Sequence, residues 1–154
     1  TVKPGKVSVF AKRAARGLSR RLRAFGQVEP DGFDLDAVPT ADIALYFADQ
    51  PAKLYQLTQW LPVFENQIDM RTIVVVRNLE TYNELRALTS LQVLLVPRYE
   101  ILMALYDRAD FHAVIYVNNG WTNFQSLSFQ EAVHIHVNHG ESDKICMVSN
   151  QAKA

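Results

Sequence analysis

The sequence predicts an α/β fold of Rossmann-like type, a parallel sheet with helices on both faces, preceded by a basic amphipathic helix. Three observations carry this. Five short apolar, β-branched or aromatic runs recur at 43–48, 72–77, 91–96, 113–118 and 132–138. The segments joining them are long enough for helices, and three of the four have helical periodicity, which calls for parallel strands linked by right-handed crossovers. The runs are also nearly all apolar, as strands covered on both faces should be.

Taken in order, the chain begins with a charged arm. Residues 1–28 hold eight Lys/Arg and no Asp/Glu, whereas the remainder holds eight against sixteen, so the net charge of zero hides a basic tail and an acidic body. Val7, Phe10, Ala14, Leu18, Leu22 and Phe25 recur at helical spacing, with Lys6, Lys12, Arg13, Arg16, Arg20, Arg21 and Arg23 largely between them and Gly17 weakening the run. One reading is an arm lying on an anionic membrane surface through residues 6–25, each basic side chain contributing roughly 1 kcal/mol. The other is a solvated helix or a linker from an upstream segment. Nothing beside the charge reads nucleic acid, since aromatic interleaving and known reader motifs are missing. Residues 29–40, with Pro30, Gly32 and Pro39 among acidic side chains, form a polar linker. The folded domain is expected over 41–154.

Within it, Leu54, Leu57, Leu61 and Phe64 predict a helix over 53–67; Tyr82, Leu85 and Leu88 predict one over 79–88; Leu102 and Leu105 predict one over 99–106. The fourth connection, 121–130, is shorter and weaker. The last run breaks at His139-Gly140 and is followed by Glu141, Ser142 and Asp143, types that cap a helix start. Strand, tight turn and helix are expected there, with free backbone N–H groups that favour an anion. Both ends of the chain are expected to be cut from something longer. No run of eighteen apolar residues exists to span a bilayer, and the opening stretch lacks the apolar core of a secretory leader. A single cysteine, Cys146, cannot form an internal disulfide and suits a reducing compartment.

In a parallel sheet the five strand ends share one rim, where open α/β folds bind ligands. Asp49, Arg77-Asn78, Pro97-Arg98, Asn118-Asn119-Gly120 and His139-Gly140 should meet there. Asp49 is as suited to capping the next helix as to touching ligand, Asn119-Gly120 is an ordinary turn pair, and the arginines can equally pair with surface carboxylates. After the first run, Ala48-Asp49-Gln50-Pro51 replaces the glycines of a dinucleotide fingerprint, which argues against a nicotinamide dehydrogenase.

His134 and His136 share one strand face and His139 follows, so a zinc hydrolase on His134, His136 and His139 is an alternative. The spacing is a weak signal, and a buried neutral histidine needs only hydrogen-bonding partners. His139, at the strand end, suits proton transfer near neutrality. Lys144, one turn further on, adds positive charge at a helix start.

At these residues the chain resembles a family. His139-Gly140-Glu141-Ser142-Asp143-Lys144, led by the strand with His136 and followed by Val148-Ser149-Asn150-Gln151-Ala152, looks like the His-Gly-x-x-x-Lys junction of the CDP-glycerol glycerophosphotransferases, teichoic-acid-type polymerases of two-domain GT-B fold. The resemblance runs from about residue 113 to the end, more loosely from Asp42, and leaves out the basic tail. It departs where many members have Thr and Pro after the glycine and this chain has Glu141 and Ser142.

The resemblance implies the N-terminal, acceptor-side half of such an enzyme, with no cofactor in this domain and the CDP-glycerol donor on a C-terminal domain outside this chain. His139 would be the base that activates an acceptor hydroxyl. Gly140, Ser142, Lys144, Asn118, Asn119 and Arg98 would hold phosphate or acceptor, with no metal among them. The acceptor would be a lipid-linked polyol phosphate at the cytoplasmic face of the membrane, to which the enzyme binds peripherally. The remaining alternative is a non-catalytic Rossmann-like interaction module docked to a membrane.

Overall fold

The computed structural model describes residues 35–38 and 40–137. The basic arm, most of the linker, and the junction holding His139, Gly140, Ser142 and Lys144 lie outside the described residues. The chain divides into two compact units, Thr1–Ala37 and Val38–Ala154. In the first, only a short 3-10 turn at Leu35–Ala37 is described.

The second unit is built on five strands, β1 (Ile43–Phe47), β2 (Thr72–Val76), β3 (Gln92–Leu95), β4 (Ala113–Tyr116) and β5 (Val133–His136). All pair in parallel, in the order β3-β2-β1-β4-β5. Strand order reverses between β1 and β4, which puts the topological switch point at the sheet's centre. The parallel α/β architecture expected from the alternating runs is therefore present.

β1 and β2 are buried at every position. Side chains alternate across the sheet, so each strand feeds two cores. On one face Ile43, Leu45, Phe47, Val74, Val76, Ile115 and Val117 meet Leu54, Leu57, Leu61, Phe64 and Leu85 from the connections after β1 and β2. On the other, Tyr46 packs edge-on to Tyr116, and Tyr106 packs against Phe111 and Phe129. Each fully buried aliphatic or aromatic side chain contributes about 1.5–3 kcal/mol. The edges depart from full coverage. In β5, Val133 is 63% and Ile135 41% exposed, so this apolar strand is covered on one face more than the other.

The helices are α1 (Tyr55–Thr58), α2 (Leu61–Asn66), α3 (Leu79–Leu85), α4 (Tyr99–Ala109) and α5 (Asn123–Leu127). The single helix expected over 53–67 is two short helices, α1 and α2, because Pro62 has no N–H to continue an α-helical ladder and sits instead in the first turn of α2. A 3-10 turn, Pro51–Lys53, precedes α1. α3 stops earlier than its periodicity suggested. α4 runs a turn longer than expected and closes at Asp110, whose φ of 53° and ψ of 48° are left-handed and whose N–H bonds Tyr106 O at 3.3 Å. Aspartate tolerates that conformation better than most residues.

Candidate functional site

The carboxyl ends of β1 to β4 meet at one rim, and hydrogen bonds tie them to one another. Asp49, two residues past β1, accepts from Gln50 N at 2.9 Å and from Lys53 Nζ at 2.8 Å. Its other neighbour comes from across the switch point, since Asn118 Nδ2 donates to Asp49 Oδ2 at 3.1 Å. The buried Thr81 hydroxyl donates to Asp49 O at 2.9 Å, which fastens α3 to the end of β1. Asp49 thus both braces the turn after β1 and lies in the β1–β4 crevice.

The loop from β4 to α5 turns inward. Asn118 and Asn123 are each 3% exposed. Asn123 Nδ2 donates to Asn118 O at 2.7 Å, while Asn123 N–H closes the turn onto Gly120 O at 3.0 Å. The Oδ1 atoms of Asn118 and Asn123 are buried and meet no donor. An amide oxygen left in that condition costs about 1–3 kcal/mol. Asn119 and Gly120 between them are half-exposed. In the same loop the Trp121 ring, 82% exposed, lies 5.4 Å from that of Phe124.

The two rim arginines differ from one another. Arg77 Nη1 donates to Gln125 Oε1 at 2.9 Å and to the Tyr46 hydroxyl at 3.3 Å, and Nη2 donates to Pro97 O at 2.9 Å. Its partners are all neutral, and it laces the end of β2 to β1, α5 and the β3–α4 loop. Burial pushes the Tyr46 hydroxyl pKa above its ordinary value, and the Arg77 charge opposes that only in part. Arg98 is half-buried at the N-cap of α4 in extended conformation, and its side chain makes no cap bond. Asn78, grouped with the rim by sequence, caps α3 instead. Its side-chain oxygen accepts from Glu80 N at 2.9 Å and Thr81 N at 3.1 Å.

His134 and His136 do share a face of β5, in register with Val114 and Tyr116 of β4. His134 is taken up by hydrogen bonds. Its Nε2–H donates to Phe129 O at 2.6 Å, because a carbonyl can only accept, and its Nδ1 lies 2.7 Å from the Tyr116 hydroxyl. The Tyr116 oxygen is in turn 2.9 Å from Ser126 Oγ, which is 2.6 Å from the Tyr106 hydroxyl. Burial pushes both tyrosine pKa values up, so both hydroxyls stay protonated across the physiological range. With Nε2–H facing Phe129 O and Nδ1 facing the Tyr116 hydroxyl, His134 has no ring nitrogen free for a metal in this arrangement, which disfavours the zinc alternative. Among the described residues, no group of three His, Cys, Asp or Glu side chains could hold a metal ion.

Of the residues expected to bind phosphate or acceptor, Asn118, Asn119 and Arg98 all stand at the carboxyl rim, with Asn118 at the switch point itself. Asn123 and the Tyr106–Ser126–Tyr116–His134 chain escaped sequence reading. The tyrosines did leave a signal, because a hydroxyl inside an apolar strand must find a partner. Asn123 left none. No protein-family model, curated protein or solved structure matches the chain.

Proposed function

We propose that this chain is the acceptor-side, N-terminal half of a GT-B transferase that moves glycerol phosphate, or a related polyol phosphate, from CDP-glycerol to a hydroxyl of a membrane-linked, teichoic-acid-like acceptor. The observation that carries the reading is the junction His139-Gly140-Glu141-Ser142-Asp143-Lys144, which follows the last strand of a parallel sheet ordered β3-β2-β1-β4-β5. β5 still bonds its neighbour at Val137, whose N–H donates to Tyr116 O at 2.8 Å, and His139 comes two residues later in the chain. Ligands of open α/β sheets sit beyond the carboxyl ends of the strands. The engagement of His134 also favours a base at His139 over a three-histidine metal site.

In this mechanism the acceptor oxygen attacks the β-phosphorus of CDP-glycerol, the new P–O bond forms, and the bond to CMP breaks. His139 takes the hydroxyl proton, a contribution typically of order 10²–10⁴ in rate. Lys144, with Gly140 and Ser142, holds phosphate or developing charge. Asn118, Asn119 and Arg98 line the acceptor side. The basic segment 6–25 keeps the enzyme on the cytoplasmic face of an anionic membrane, and the donor nucleotide is held by a further domain of the same enzyme.

The test is transfer of radiolabel from CDP-glycerol to a lipid-linked glycerophosphate acceptor by the full-length protein. Labelled lipid with matching CMP release supports the reading. A folded protein that yields neither, with CDP-glycerol or with CDP-linked polyols in its place, overturns it in favour of the interaction module.

A further inference from the structure

Three asparagines stand on the segment that leaves β4, and they differ in ways that matter chemically. Asn118 and Asn123 are each 3% exposed, and each is followed by a residue with a side chain, Asn119 and Phe124. Asn119 is partly exposed and is the only asparagine of the sequence followed by glycine, Gly120, itself partly exposed. The Asn119 Oδ1 is covered, so the exposed surface of that residue lies on its other atoms. The pair belongs to no helix or strand, and among the described residues the Gly120 N–H meets no acceptor. Asparagine is one of the chemically labile residues, because the next backbone nitrogen can attack the side-chain amide carbon and close a succinimide ring. A side chain on the following residue crowds that approach, and a ladder hydrogen bond ties up the attacking nitrogen. Gly120 presents neither obstacle.

We propose that Asn119-Gly120 is a site of spontaneous modification, where water converts Asn119 to aspartate and isoaspartate and so adds a carboxylate to the loop at the sheet's switch point. In the first step Gly120 N bonds to Asn119 Cγ and the Cγ–Nδ2 bond breaks. Nδ2 leaves as ammonia, taking the proton that Gly120 N gives up. Water then opens the ring at either carbonyl. Opening at the side-chain carbonyl leaves aspartate; opening at the main-chain carbonyl leaves isoaspartate, with the linkage now running through the side chain and one atom longer. One water enters, one ammonia leaves, and nothing is oxidised or reduced. Isoaspartate alters the loop most. Asn123 clasps the segment twice, with Nδ2 on Asn118 O at 2.7 Å and N–H on Gly120 O at 3.0 Å, and the lengthened linkage lies between those two acceptors. The new charge stands next in the chain to Asn118, whose Nδ2 donates to Asp49. Only the consequence for acceptor binding rests on the transferase reading: a carboxylate at Asn119 repels a phosphate held there.

The experiment ages the purified 154-residue chain at neutral and mildly alkaline pH, folded and in urea. It is followed by peptide mass mapping and by labelling with an isoaspartate-specific methyltransferase. The expected result is a gain of a single mass unit and isoaspartate labelling at residue 119, with Asn118 and Asn123 unchanged. The reaction should run faster at the higher pH, because the attacking nitrogen must lose its proton, and the folded chain should react at a rate comparable to the chain in urea. Gly120→Ala adds a methyl that would lie 3.5 Å from Thr122 Oγ1 and 3.9 Å from Asn123 Oδ1, both ordinary contacts that the fold accommodates. It should slow the change several-fold with an unaltered circular dichroism spectrum. No gain at residue 119, gains spread evenly over the three asparagines, a reaction confined to the chain in urea, or an unaltered rate in Gly120→Ala would each overturn the site. The reaction needs no substrate, so its failure and the failure of the transfer assay are read independently.

Discussion

Asn118 Nδ2 lies 3.1 Å from Asp49 Oδ2, a hydrogen bond that joins the ends of β1 and β4 across 69 residues of sequence. The two strands pair side by side, in parallel, at the point where the strand order reverses. A neutral amide is what permits the contact, because it donates to the carboxylate and adds no charge.

Asn118→Asp replaces that donor with a second carboxylate at a position only 3% exposed. Like charges at this distance disfavour ionisation of one partner. The variant should lose about 1–3 kcal/mol, read as a lower urea midpoint at neutral pH. Part of the loss should return as pH falls and one carboxyl takes up a proton. A midpoint equal to wild type at neutral pH would mean the bridge does not hold the strands together.

The Tyr116 hydroxyl is the centre of the buried polar chain between His134 and Ser126. Tyr116→Phe keeps the ring and its edge contact with Tyr46 but leaves His134 Nδ1 and Ser126 short of a partner. The cost should be about 1–3 kcal/mol. A double-mutant cycle with Ser126→Ala should then show clear coupling, since the two residues share one network. Additive effects would contradict it.

Acid should weaken the fold through Asp42. Arg71 donates to both of its carboxylate oxygens, from Nε at 3.1 Å to Oδ2 and from Nη2 at 3.0 Å to Oδ1, and holds the carboxyl pKa below the usual range. A carboxyl with a lower pKa in the folded state contributes stability above its unfolded pKa of about 4, and that contribution fades as pH falls through the folded value. Glu65 acts in the same direction through its bonds from Thr89 and Ser90. Tm should decline as pH drops from 5 to 3, and Arg71→Met should flatten part of the decline. An unchanged profile in the variant would assign the acid sensitivity elsewhere.

How much of this was legible in the sequence depends on the range of the interactions. β1 and β2 read clearly because unbroken apolar, β-branched runs have a local signature, and the rim followed from topology once the strands were taken as parallel. The helix over 53–67 was misread because Leu54, Leu57, Leu61 and Phe64 keep helical spacing through a proline that interrupts the ladder. Asn78, expected only at the rim, proved to be the N-cap of α3. The contacts of Asn118 with Asp49, Arg77 with Gln125 and His134 with Tyr116 span 69, 48 and 18 residues, and no local pattern encodes them. The orphaned oxygens of Asn118 and Asn123 are likewise a property of the packed loop.

In the proposed transferase His139, three residues beyond the end of β5, supplies the base for transfer. The measurement that tests it most directly compares full-length wild type with His139→Ala in the CDP-glycerol transfer assay, with circular dichroism to establish that both are folded. The account predicts a loss of at least about two orders of magnitude in rate with the fold intact. Near-wild-type turnover by His139→Ala would contradict it.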